Sequence, residues 1–101
     1  MEFIEVASKE ELRAEGRKVV EVNGQQVALF FLKGEVYALN GVCPHMGGPL
    51  CEGELDQEEI VCPRHSFMFN IKDGACLNHP GFSVRTYKVK IENDKVLLGI
   101  E

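Results

Sequence analysis

The stretches CPHMGGPL (residues 43–50) and CPRHSFMF (residues 62–69) each set a Cys and a His within four residues of one another. They hold two of the chain's three His and two of its four Cys, the others being Cys51, Cys76 and His79. As a pattern the pair reads Cys43-x-His45, sixteen intervening residues, then Cys62-x-x-His65. That is two thiols and two imidazoles. Spacings of one and two residues suit ligands carried by loops, where the chain turns fast enough to aim both side chains inward; on a regular strand, residues three apart point to opposite faces. Pro44, Gly47, Gly48, Pro49 and Pro63 supply the turn-forming residues that such loops need.

Three chemistries compete for this donor set. A mononuclear zinc accepts two Cys and two His, but the common zinc finger takes both Cys from one element and both His from another. Here each stretch gives one of each. A cluster of two irons and two sulfides, with two Cys on one iron and two His on the other, needs that mixed contribution. Cys/His nucleophilic catalysis explains one pair and leaves its duplicate idle. The cluster is the reading the spacing favours, with a zinc-braced interaction module as the alternative.

Outside the two stretches the chain sets limits rather than chemistry. Its 101 residues suffice for one small domain (1–101) with a single modest core. No apolar run approaches the roughly 18 residues of a membrane span. The amino end, MEFIEVASKEELRAEG, lacks the basic start and apolar middle of an export signal, so the expected compartment is the cytoplasm. There a tight Cys/His grouping points to metal or catalysis rather than to disulfides. Eleven basic against sixteen acidic side chains give a net charge of −5, which disfavours nucleic acid and anionic membranes as partners and suits a basic protein. Much of the excess lies in CEGELDQEEI, where Glu52, Glu54, Asp56, Glu58 and Glu59 crowd the connection between the stretches, read as a solvated loop or as a docking surface for such a protein.

The flanks read as strands. FIEV opens the chain, and Ser8 with Glu11 three residues later forms a capping box for a short helix over KEELRAE, stopped by Gly16. RKVVEV, QQVALFFL and EVYAL follow as a meander with turns at Asn23-Gly24 and Lys33-Gly34. EEIV and FMFNI are short strands among loops, KDG is a turn, and ACLNHPGF makes a third loop. VRTYKVKIE, Asn93-Asp94 and KVLLGIE close the chain as a hairpin; Tyr87, Val89 and Ile91 alternate with Lys88, Lys90 and Glu92, the mark of a half-buried strand. The fold class is all-β: eight to ten short antiparallel strands form a base, with one short N-terminal helix. Asn40 to Phe82 reads as a loop-rich insert standing on that base.

The double box C-x-H and C-x-x-H resembles the Rieske [2Fe-2S] family, strongly over about residues 40 to 85. The resemblance implies that Cys43 and Cys62 hold an inner iron and His45 and His65 an outer one. It also implies a cluster-binding subdomain over about 40–82, and a proline-containing third loop over the cluster, placed here at Asn78-His79-Pro80-Gly81-Phe82. Members from respiratory complexes carry a disulfide-forming Cys in each box and two hydroxyl donors in the second. The matching positions here are Gly48, Arg64, Phe67 and Phe69. The sequence therefore looks like the soluble ferredoxins that serve bacterial oxygenases, or the small subunit of NAD(P)H-dependent nitrite reductases. One departure is Ser66, where the family often has Gly after the second His.

What the resemblance implies for function is a one-electron carrier, not itself an enzyme. Its partners are a flavin reductase and a terminal oxygenase or reductase, and it is a monomer when free. The mononuclear iron of the oxygenases lies in a long further domain for which 101 residues leave no room. Two thiolates cancel the +2 of two ferric ions and two sulfides, so the oxidised cluster is neutral and accepts an electron more readily than a four-thiolate cluster. Rieske centres accordingly span about −150 to +300 mV against about −400 mV for plant-type ferredoxins; lacking hydroxyl donors and a disulfide, this chain is expected in the lower part. An iron-bound imidazole keeps a second ring nitrogen that titrates, so reduction is expected to favour proton uptake at alkaline pH. Met46, Phe67, Met68, Phe69 and Phe82 offer an apolar surround. Arg64 reads as solvated, Cys51 and Cys76 as packed thiols rather than ligands, and His79 as structural or exposed.

Overall fold

The computed structural model describes residues 2–42, 53–62, 67–78 and 81–100. Along them run β1 (Glu2–Ser8), α1 (Lys9–Glu15), β2 (Arg17–Val22), β3 (Gln25–Leu32), β4 (Glu35–Asn40), β5 (Glu54–Asp56), β6 (Glu59–Val61), β7 (Met68–Asn70), β8 (Thr86–Tyr87), β9 (Val89–Glu92) and β10 (Lys95–Ile100). The all-β expectation holds, and every named strand pairing is antiparallel.

Local chemistry sets the ends of these elements. Ser8 Oγ accepts the Glu11 N–H at 3.0 Å and opens α1. Gly16 closes it in the left-handed region, φ 83°, with its N–H on the Leu12 carbonyl at 2.7 Å. Three two-residue hairpin turns have both central residues at positive φ: Asn23-Gly24, Lys33-Gly34 and Asn93-Asp94. That backbone twists with the flanking strands.

Three sheets result, ordered β1-β10-β9, β2-β3-β4-β8 and β5-β6-β7. The second lies between two cores, which explains why VALFF abandons alternation: a strand buried on both faces is apolar throughout. Val27 and Leu29 join Leu12, Ala38, Val96 and Leu98 in the base core, under α1 and the first sheet. Their neighbours Ala28 and Phe30 point the other way and join Leu39, Ile60, Cys62, Phe67, Phe69, Ile71, Cys76 and Val84. That second core belongs to the Cys/His side of the molecule.

Two local expectations differ from what is found. The acidic connection is not all loop: Glu54–Asp56 pairs with Glu59–Val61 as a hairpin, its turn made by Gln57 at φ 56° and Glu58. Strand propensity is poor there, and pairing with β6 and burial of Ile60 override it. The run VRTYKVKIE also divides. Thr86 and Tyr87 pair with β4, whereas Val89 to Glu92 pair with β10, so the chain passes from one sheet to another at Lys88. The alternation of faces continues through that corner, which hides it in the sequence; Ile91, on the outer strand of its sheet, is left 39% exposed.

Candidate metal centre

Of the four expected ligands, Cys62 is placed by the described residues; Cys43, His45 and His65 lie outside them, as do Met46, Gly48, Cys51, Arg64, Ser66, His79 and Pro80. Cys62 follows β6 directly, and its N–H donates to the Phe67 carbonyl at 2.7 Å, so the first residue of the second Cys/His stretch is bonded to a residue just before β7. β6 and β7 pair from Val61–Met68 onward. The Cys62 side chain is 2% exposed, makes no disulfide, and sits in the core with Ile60, Phe67, Phe69 and Cys76.

That placement tests the fit of a metal cluster. A thiolate in apolar surroundings is costly unless a positive charge lies against it. Among the described residues no charged or polar side chain is buried. A metal would supply the balancing charge, and the two-thiol, two-imidazole donor set of Cys43, His45, Cys62 and His65 is the type that mixed Cys/His clusters take. Phe67 and Phe69, also buried, bring no hydroxyl to the site.

The entry to the first stretch is anchored by β3 and by Arg85, the residue before β8. The Asn40 N–H donates to the Arg85 carbonyl, and the Gly41 N–H to the Gln26 carbonyl, both at 2.8 Å. The Asn40 side chain then accepts the Val42 N–H at 3.0 Å, starting the turn toward Cys43. Arg17 reaches across from β2 to the Gly53 carbonyl and ties the far side of the insert to the base.

The third loop is attached to the second stretch. Gly74 lies at φ 77°, and a Cβ there would stand 2.2 Å from the Val84 carbonyl oxygen. No other residue type fits so close a backbone approach. Gly74 N–H donates to Asn70, Val84 N–H to Gly74, and Cys76 N–H to Phe82, at 2.8, 2.8 and 3.2 Å. The Phe82 ring meets Phe67 edge to face, centroids 5.3 Å apart, although Phe82 stays 38% exposed. Leu77 N–H bonds to the Met68 carbonyl at 2.7 Å, and Asn78 Oδ1 accepts both the Met68 N–H, at 3.1 Å, and the Cys76 thiol, at 3.5 Å. Cys76 thus spends its proton within the protein, as suits a packed thiol. Sequence reasoning missed the roles of Gly74 and Asn78; the only signals were a glycine after Lys-Asp and an Asn two residues before a Pro, both of which read as ordinary turn residues.

Beside the centre, the acidic hairpin is partly neutralised by its own neighbours. Lys72 Nζ lies 2.7 Å from Glu58 Oε1 and holds that carboxyl below its ordinary range, while Glu58 raises the Lys72 ammonium. The Tyr37 hydroxyl donates to Glu35 at 2.7 Å, which pushes its ionisation up.

The model of the Rieske [2Fe-2S] domain matches residues 2–88. The ferredoxin component of the naphthalene 1,2-dioxygenase/salicylate 5-hydroxylase systems of a Ralstonia species is 40% identical over 83 residues, covering 81% of this chain and 80% of that protein. The ferredoxin component of the naphthalene 1,2-dioxygenase system of Pseudomonas putida is 37% identical over 82 residues, covering 80% and 79%. Among solved structures, the ferredoxin of carbazole 1,9a-dioxygenase from Nocardioides aromaticivorans superposes with a TM-score of 0.90 at 27% identity, with both chains covered in full. A buried, disulfide-free thiol between paired strands, a loop bonded to the strand that follows it and a family match over residues 2–88 agree: the chain belongs to the Rieske [2Fe-2S] family.

Proposed function

We propose that this protein is a one-electron carrier that shuttles between a flavin reductase and a terminal oxygenase, with Cys43 and Cys62 on the inner iron and His45 and His65 on the outer iron of its [2Fe-2S] cluster. The observation that carries the ligand assignment is Cys62, a buried thiol at the head of the β6–β7 connection with no buried cation beside it among the described residues. Residues 40–82 are the cluster-binding subdomain of a single domain spanning 1–101. The bound cluster supplies a couple that takes up and releases one electron. The chain's own part is to hold the thiols and imidazoles in place, keep water away with Phe67 and Phe69, and leave an edge where a partner can approach. Val42, Leu77 and Phe82, all more than a third exposed, furnish apolar surface for that approach. The carrier acts as a cytoplasmic monomer and performs no catalysis itself, in keeping with relatives that are ferredoxin components of oxygenase systems.

Electron paramagnetic resonance of the dithionite-reduced protein, with iron and acid-labile sulfide analysis, tests this reading. Mixed His/Cys ligation gives a spectrum distinct from that of an all-Cys cluster, with two irons and two sulfides per chain. A colourless protein holding a single zinc would overturn it. Reduction of cytochrome c through the isolated protein separates a dissociating carrier from a fixed subunit of a larger reductase.

A further inference from the structure

β7 and the third loop begin as a strand pair: Phe69 lies opposite Cys76 as a single bridge, and the next step along is the Leu77 N–H on the Met68 carbonyl. One more step would need a backbone carbonyl opposite the Met68 N–H. A side chain takes its place. Asn78 Oδ1 accepts that N–H at 3.1 Å, so an amide side chain extends the ladder by one bond while the backbone is released toward His79 and Pro80. The same oxygen takes the Cys76 thiol at 3.5 Å, fixing the direction of the side chain from the loop's own base. The opposite leg of the loop is fixed by Phe82 on Phe67. The two legs are thus attached to consecutive residues, Phe67 and Met68, two and three positions after His65.

From this geometry we infer that Asn78 is a positioning residue for the cluster: it pins the third loop against the second Cys/His stretch and so sets how much water reaches the metal centre. The inference rests on the carrier reading above and adds a residue outside the ligand pattern. The apolar shell around a metal centre controls solvent access to it, and outer hydrogen bonds hold that surround in place. Asn suits the task because its carbonyl oxygen accepts two bonds while the chain turns before Pro80.

The experiment compares the wild type with Asn78→Ala and Asn78→Asp, all loaded and matched for iron. Asp keeps an oxygen where the Asn oxygen stands; Ala does not. In deuterated buffer, the spin-echo spectrum of the reduced Ala variant shows deeper deuterium modulation than wild type. Its cluster is bleached by a chelator about tenfold faster, the order of effect of one lost hydrogen bond. Asp stays near wild type in both. Amide exchange in peptides spanning 67–78 rises at Met68 in the Ala variant alone, a readout independent of the cluster. An Ala variant with wild-type modulation, bleaching and Met68 exchange overturns the pin. A wild type that holds no iron-sulfur cluster overturns the carrier reading and, with it, the pin's assigned purpose.

Discussion

Leu29 and Phe30 are adjacent in β3, both fully buried, and belong to different cores. The core below Leu29 is closed by long ladders: β1 with β10, β2 with β3 and β3 with β4 each pair over six positions. The core above Phe30 is closed by strands of three residues and by the single bridges Phe69–Cys76 and Ala75–Ser83. One half of the molecule is held by its own backbone. The other has comparable apolar side chains with far less regular hydrogen bonding, and its closure leans on whatever joins its loops. In metal-dependent folds the binding free energy of the metal is folding free energy. The difference between the two faces of one strand is therefore expected to separate a self-sufficient base from a half that the proposed cluster completes.

The largest effect expected on that contrast comes from removing a proposed ligand. Cys62→Ser abolishes iron binding, visible absorption and electron transfer, yet amides of β1–β4 and β10 stay protected from exchange while those of 53–62 and 67–78 lose protection. Exchange mass spectrometry distinguishes this from uniform unfolding, which would show that the base is not independent. Next come the paired core truncations. Leu29→Ala is expected to cost about 3 kcal/mol and Phe30→Ala about 4 kcal/mol. Only Phe30→Ala should speed release of iron; guanidinium unfolding with chelator kinetics checks both. Equal iron release from the two variants would mean the cores are coupled through β3. Gly74→Ala follows, at about 2 to 3 kcal/mol, since the left-handed backbone and the contact with the Val84 carbonyl oppose any side chain. It should strike the cluster half alone, seen as iron loss at temperatures where the base keeps its circular dichroism.

Legibility in the sequence follows the same division. The base announced itself because its signals are local: the Ser8 and Gly16 caps, the Asn23-Gly24 turn and the apolar run of β3 each depend on residues a few positions apart. The paired Cys/His motifs on which the ligand proposal rests stand out for the same reason, being short and of fixed spacing. What escaped notice is long-range. EEIV was legible as a strand, but its partner β5 forms on a segment that charge alone marks as loop, and the pairing depends on Ile60 finding the core and on Arg17 meeting Gly53 from 36 positions away. Asn78 works ten positions from Met68 through a side chain standing in for backbone, which no periodicity records.

The smallest effect bears on how the acidic hairpin is tied to the rest of the cluster half. The Lys72 ammonium lowers the Glu58 carboxyl, first through their hydrogen bond and then through charge. A carboxyl whose folded value lies below its unfolded one stabilises the fold above about 4.5, the ordinary value, and loses that contribution as pH falls through the folded value. Lys72, raised by Glu58, gives the mirror case: its contribution is complete below 10.5 and fades as pH climbs through the elevated folded value. Tyr37, raised by its bond to Glu35, fades on the same alkaline side. The pair is therefore at full strength between those limits and weakens outside them. Because Glu58 and Lys72 are solvent-accessible, the effect is slight and screened by salt. Glu58→Gln should lower the urea midpoint at pH 7 and low ionic strength by less than any change above, and the difference from wild type should shrink below pH 4 and in molar salt. A difference that persists unchanged at pH 3 would show that the Glu58 carboxyl acts through a hydrogen bond the amide cannot replace rather than through its charge, and that the hairpin is held as the base is, by contacts indifferent to titration.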